Sequence, residues 1–253
     1  MVHQTDRRTR KRQERTQRIL NTAQTILLHE GLEAVTVHRI ARELDLTVGA
    51  LYRYFPSKQA MLAALGEDIV KGFTMSLSEL ADIYQTEFAE HQTNATITQI
   101  FVIGHGFLEM AERSPARYRM VDLMLVDPRS MVQEENRMTV LQTLFELLGR
   151  VEALLDTASD SNIISTGHTR ERTIALWSSL LGISSMQKMR RLYPEQVPAD
   201  NLSRDTLQSL FIAWGCDASA VQEASNQALD FLQGLSTDTP QNTEGDPLWR
   251  SLS

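Results

Sequence analysis

One cysteine, Cys216, stands in the 253 residues, so no internal disulfide can form and an intracellular location fits. No stretch of 18 apolar residues occurs, and the charged N-terminus has no apolar segment behind it. Neither membrane spanning nor secretion is expected, and the reading is a cytoplasmic protein. Apolar and polar residues nowhere alternate with period two over a useful length, which argues against strands. Catalytic motifs are missing as well. His29-Glu30 lacks the second histidine that a zinc-protease helix needs four positions on, and no other histidine pair sits at ligand spacing. Gly104-His105-Gly106 is followed by no third glycine at the phosphate-loop position, and no Gly-x-Ser-x-Gly elbow occurs. An enzyme is not expected, and neither a metal nor a cofactor is implied.

What is present is apolar residues at helical spacing and an uneven charge. At 42% hydrophobic content the chain is long enough for a small domain and a larger one with its own core. Residues 1–60 hold 11 Lys and Arg against 6 Asp and Glu, a net of +5, whereas the whole chain is −7, which leaves −12 for the rest. A basic end on an acidic body points the N-terminal portion at a polyanion.

Two short helical patterns lie between Thr36 and Lys58, around a turn of three or four residues. Thr36 can cap the first, which continues with Val37, Ile40, Ala41 and Leu44 at spacings of three and four. Thr47 can cap the second, whose Leu51 and Phe55 share an inward face while Val48, Gly49, Ala50, Tyr52, Arg53 and Tyr54 are left for solvent or a partner. That outer face is small at its start and polar-aromatic at its end. Small residues let a helix backbone approach base edges, while Tyr hydroxyls and Arg reach the sugar-phosphate walls of a major groove.

In this segment the chain resembles the tetracycline-repressor (TetR) family of bacterial transcriptional regulators, whose pattern runs close to Thr-x-x-x-Ile-Ala-x-x-x-Gly-Val-Ser-x-Gly-x-Leu-Tyr-x-His-Phe-x-Ser-Lys. Thr36, Ile40, Ala41, Gly49, Leu51, Tyr52, Phe55, Ser57 and Lys58 match it. Asp45 replaces the turn Gly, Leu46 replaces Val, Thr47 replaces Ser and Tyr54 replaces His. Asp tolerates the left-handed backbone, Thr caps as Ser does, and Tyr keeps a hydrogen-bonding tip. The detailed resemblance covers roughly residues 13–65. It implies that Thr36, His38, Thr47, Val48, Gly49, Ala50, Tyr52, Arg53, Tyr54 and Lys58 line a double-stranded DNA operator. Val48 and Ala50 can offer only apolar contact, so Arg53 and His38 are the candidates for hydrogen-bonded base readout. Lys58, in the first turn of its helix, would meet a phosphate with both its ammonium and the helix dipole.

Residues 1–12 read as a basic disordered arm. Arg7, Arg8, Arg10, Lys11, Arg12, Arg15 and Arg18 face a single acid, Glu14. Such a run is either a solvated face or, beside a helix-turn-helix, a source of sequence-independent affinity through counterion release. Residues 13–56 form the expected DNA-binding domain of three helices, the first carrying Ile19, Ala23, Ile26 and Leu27 and ending at Gly31.

Residues 57–235 read as an all-α effector-binding and dimerisation domain, and 236–253 as a mobile tail. Ser57, Ser114-Pro115 and Asp127-Pro128 mark helix starts, 96–113 and 138–155 are strongly apolar helices, and 159–167 is a loop. A helix over about 168–192 closes near Pro194 and Pro198, and a further pair from Ser203 splits at Gly215.

The resemblance implies a homodimer, and two segments with small residues among large apolar ones occupy the corresponding place. One holds Trp177, Leu180, Leu181, Ile183 and Met186; the other holds Ala220, Ala224, Ala228, Leu229, Phe231 and Leu232. Both stripes could instead pack inside one chain. A small-molecule effector is also implied, with His105, Phe107, Met110, Arg117, Tyr118, Met120, Met124, Phe145 and Trp177 as candidate lining; the plainer reading of a Met and aromatic stripe is core. The predicted function is thus a repressor released by a small molecule. From a different class, a helical ligand-binding or scaffold protein could touch an anionic membrane with its basic N-terminus, but residues 1–18 hold only Met1 and Val2 as bulky apolar anchors.

Overall fold

A computed structural model of the chain describes residues 2–87, 94–125, 134–186 and 201–237, together with 189, 192, 193 and 195. Among them the regular elements are helices, as expected: α1 (Val2–Glu30), α2 (Val37–Glu43), α3 (Val48–Tyr52), α4 (Lys58–Glu87), α5 (Ala95–Arg113), α6 (Pro115–Leu125), α7 (Glu134–Asp160), α8 (Thr169–Ser185), α9 (Leu202–Ala213) and α10 (Ala218–Thr237). A 3₁₀ turn, Leu32–Ala34, links α1 to α2. The Asp127-Pro128 start, the turn at Pro194 and Pro198, and the tail beyond 237 lie outside the described residues.

The punctuation read from the sequence is where the helices begin and end. Thr36, Thr47 and Ser57 each accept a hydrogen bond from the backbone N–H three residues on, at 3.2, 3.1 and 3.0 Å. Pro115 opens α6, and Gly31 and Gly215 take the left-handed conformation at φ +83° and +90° after α1 and α9. The arm differs. Residues expected to be disordered up to 12 are helical from Val2, continuous with the helix expected from 13. No Gly or Pro interrupts 2–30, and Arg, Lys, Gln and Glu are good helix formers, so the helix propagates outward from its buried end.

The chain divides into two compact units: Met1–Lys71 with Ser114–Gln142, and Gly72–Arg113 with Thr143–Ser253. This division departs from the expected 56/57 boundary. The reason is α4, a continuous 30-residue helix whose first half packs with the N-terminal helices and whose second half belongs to the larger unit.

In the first unit Ile19, Ala23 and Leu27 of α1, Ile40 and Ala41 of α2, Leu51 of α3, and Met61 and Leu65 of α4 are fully buried. Gln17 donates to Asp68 at 3.3 Å, tying α1 to α4. The α6 side chains Tyr118, Met120, Val121 and Met124 complete this core, and Met124 occupies the open side of Gly66, its Sδ 2.6 Å from where a Cβ would stand.

The second unit is built around α5, buried at nearly every position from Ile97 to Ala111. A helix buried on all sides needs small residues where its neighbours cross. Leu207 and Leu180 approach Gly104, and Leu80 and Leu77 approach Gly106, whose added Cβ would lie 3.0 Å from Leu80 Cδ1. The Gly-His-Gly triplet is therefore a packing device in mid-helix. Phe101 meets Phe211 at 5.2 Å, and Arg150 of α7 bonds Asp82 at 2.6 Å and the Ser78 carbonyl at 3.2 Å.

Most of the α10 stripe that was read as a dimer face is spent inside the chain. Ala224, Ala228, Phe231 and Leu232 are buried in this unit's own core, with Phe231 edge-on to Tyr84 at 5.4 Å and Leu232 close to Gly106. A helical stripe looks the same whether its partner is the same chain or another, so spacing could not separate the two.

Gly106→Leu is expected to destabilise the fold by about 1–3 kcal/mol through overpacking. Gly149→Ala, at an exposed helical site with nothing within 4 Å of the new Cβ, is expected to stabilise it by about 0.5–1 kcal/mol. Urea unfolding of both variants checks the pair.

Candidate nucleic-acid interface

α2 and α3 form a helix-turn-helix whose turn is closed by backbone bonds. The Leu46 N–H reaches the Ala41 carbonyl at 2.8 Å, and Asp45 sits at φ 52°. That is the left-handed position at which the resemblance has Gly, and Asp fills it as expected. α3 is only five residues long, yet Leu51 is fully buried and Phe55 nearly so, with the Phe55 N–H still bonded to the Leu51 carbonyl at 3.1 Å. Pro56 follows and stops the helix, because the residue before Pro is disfavoured in the α region.

With Leu51 and Phe55 turned inward, the opposite edge is open. Thr47, Gly49, Arg53 and Lys58 are exposed, Tyr52 is 44% exposed, and Val48, Ala50 and Tyr54 are half-buried. On α2, His38 is exposed and Thr36 half-buried as a cap. Arg39, on the same helix, is held by Glu30 at 2.8 Å and Glu43 at 3.1 Å. Among the described residues, the exposed Arg42 and Arg53 make no ion pair. In α1 every cation from Arg7 to Arg18 is exposed, and Arg10 contacts Glu14 at 3.4 Å.

The larger unit contains a cleft of about 430 Å³, its mouth included, walled by α5, α7, α8, α9 and the second half of α4. Phe107 and Trp177 meet edge to face in its wall, with ring centroids 5.2 Å apart. The other wall residues are aliphatic apart from Gly104 and Thr173, and the Thr173 hydroxyl donates to the Thr169 carbonyl at 2.9 Å.

The sequence pattern of the family described as bacterial regulatory proteins, tetR family, matches residues 19–65. Those residues carry the tetR-family pattern. Over 117 residues the chain is 36% identical to the nucleoid occlusion factor SlmA of Mannheimia succiniciproducens, an alignment covering 41% of this chain and 53% of that protein. The chain spans about half the length of the curated relatives it matches. Among solved structures, a protein of unknown function from Rhodococcus sp. RHA1 aligns at TM-score 0.62 and 15% identity, covering 79% of this chain and 94% of that one. RolR in complex with resorcinol aligns at TM-score 0.55 and 15% identity, covering 86% and 96%. At such identities the structures show a shared fold.

The candidate DNA residues lie exposed or half-buried at the start of α2, along α3 and just after it, and in the first turn of α4, but the nine candidate effector residues do not form one site. Phe107 and Trp177 line the cleft. Met110 is buried core, and Phe145 is 59% exposed on α7 and outside the wall. Arg117, Tyr118, Met120 and Met124 sit on α6, in the unit that holds the helix-turn-helix. His105, 6% exposed, stacks on Phe101 and faces the Ser225 hydroxyl at 3.5 Å. Burial, and then the Arg204 charge, bring its pKa down to about 4, so the imidazole is neutral at pH 7. What the sequence missed are the wall residues Leu77, Ile100, Ile103, Leu147 and Leu176. Nothing in an aliphatic position at helical spacing separates cleft from core. Cys216 is buried, and burial and Asp217 push its thiol up, which leaves it unreactive.

Because α3 is too short to sustain itself, Thr47→Ala is expected to cost about 1 kcal/mol through loss of the cap. It should also weaken duplex binding in a gel shift more than Thr36→Ala does, since α2 is longer.

Proposed function

We propose that this chain acts in the cytoplasm as a homodimeric, sequence-specific transcriptional repressor whose affinity for its operator falls when a small molecule occupies the cleft of the larger unit. The observation that carries the reading is the edge of α3: capped at Thr47, anchored by Leu51 and Phe55, and open at Gly49, Tyr52 and Arg53. Thr36, His38, Val48, Ala50, Tyr54 and Lys58 complete the surface. Small groups at its start allow close approach, and the tyrosines and cations at its end reach the backbone. The exposed basic length of α1 adds affinity without sequence preference.

A dimer presents two such helices roughly 34 Å apart, which a palindromic site requires. Support for a dimer surface comes from α8, where Ile174, Ser178, Gly182 and Ser185 leave a small and apolar outer face. Effector control is supported by the apolar cleft, and a ligand there acts only if it binds one conformational state better than another.

The 36% identity to a nucleoid occlusion factor favours a second reading, in which the same reading head serves the nucleoid as a whole and not the transcription of particular genes. The two differ in where the protein sits. Chromatin capture and sequencing is expected to find one or a few palindromic sites beside genes whose transcription rises on deletion of the protein; many dispersed sites without a transcriptional response would favour the second reading. On the captured site, Arg53→Ala is expected to cost roughly 1–3 kcal/mol of binding, with a smaller loss on random duplex. Equal losses would assign Arg53 to phosphate.

A further inference from the structure

Three side-chain donors on α8 and α9, the helices that bring Leu180 and Leu207 to the cleft, are buried without a hydrogen-bond partner: Arg204 Nε, Gln208 Nε2 and Ser184 Oγ. Ser184 is only 3% exposed. Their proximity follows from the pairing of α8 with α9. Leu180 and Leu207 both meet the open side of Gly104, and Arg172 lies over the Trp214 ring at 5.3 Å. Residue numbers fall on one helix as they rise on the other, so the two helices run antiparallel, and one turn beyond the Leu180–Leu207 pair Ser184 comes opposite Arg204. Gln208 is one turn from Arg204 on the same face, with the cleft residue Leu207 between them.

Each of these groups is within a turn of a residue that walls the cleft: Leu180 for Ser184, Leu207 for Arg204 and Gln208. His105, next to Gly104 of the wall, is near enough to feel the Arg204 charge. A buried donor that makes no bond carries the full cost of its lost hydration, so a cluster of them calls for an acceptor. Arg204 also stands in the first turn of α9, the positive end of that helix, where a cation is disfavoured and an anion is stabilised.

Resting on the reading of the cleft as the effector site, we infer that its ligand is a small monocarboxylate amphiphile, with a ring or short chain among Leu147, Trp177 and Leu180 and its carboxylate held by Arg204, Gln208 and Ser184. His105 is neutral and Asp205 in the same turn is exposed, so Arg204 supplies a single positive charge for a single negative one. An uncharged ligand leaves the Arg204 charge unbalanced, and a polyanion brings more negative charge than Arg204 offsets.

Calorimetry on the full chain with octanoate and 1-octanol, which share a tail and differ in the head, tests this. Octanoate is expected to bind at least about tenfold more tightly, and Arg204→Gln to abolish that preference while leaving octanol binding unchanged. Ser184→Ala, a milder change, should weaken octanoate alone by a few-fold, and Leu180→Trp, which fills the cleft, should abolish binding of both. Equal affinity of the two probes overturns the carboxylate inference and leaves the cleft reading standing, whereas octanoate binding that survives Leu180→Trp places the ligand outside the cleft and overturns both. Binding of neither probe overturns both.

Discussion

Leu51 and Phe55 hold down a helix that could not exist without them. In water a helix shorter than about 12–15 residues is marginal, because nucleation fixes several residues for one hydrogen bond, and α3 has five. Two buried side chains, each contributing about 1.5–3 kcal/mol, and the Thr47 cap supply what local propensity lacks. The same anchoring decides the outer edge. Once Leu51 and Phe55 point inward, helical geometry turns Gly49, Tyr52 and Arg53 outward, and the open edge of α3 follows from the burial of the opposite one.

The larger unit depends on a comparable constraint along α5. A helix buried on every side must admit its neighbours at the crossings, and Gly104 and Gly106 do so for leucines of α4, α8 and α9. Close approach at Gly104 is not matched along the whole interface, and a cleft opens between α5, α7 and α8. The unpartnered donors Ser184, Arg204 and Gln208 on the neighbouring helices are costly for folding alone.

Much was legible where a local rule suffices. Thr36, Thr47 and Ser57 cap because a hydroxyl at that place meets an otherwise unpaired N–H. Gly31, Asp45 and Gly215 close turns because their backbones enter the left-handed region at little cost. The reading failed where the partner of a face had to be known. Phe145, a candidate pocket residue, is exposed, α6 packs with the N-terminal helices, and the α10 stripe packs on α5. Residues 1–12, whose charge predicts a disordered arm, are helical from Val2 and continuous with the rest of α1.

By itself the sequence determined the all-helical class, the helix ends and the outward edge of α3, because those depend on interactions within a few residues of the chain. Only the tertiary structure decided which apolar stripes face one another, how the chain divides along α4, and which of many equivalent leucines wall a cleft instead of filling a core. Periodicity says that a face must be buried. It does not carry the identity of the surface that covers it, since apolar attraction is non-directional and any complementary helix satisfies it.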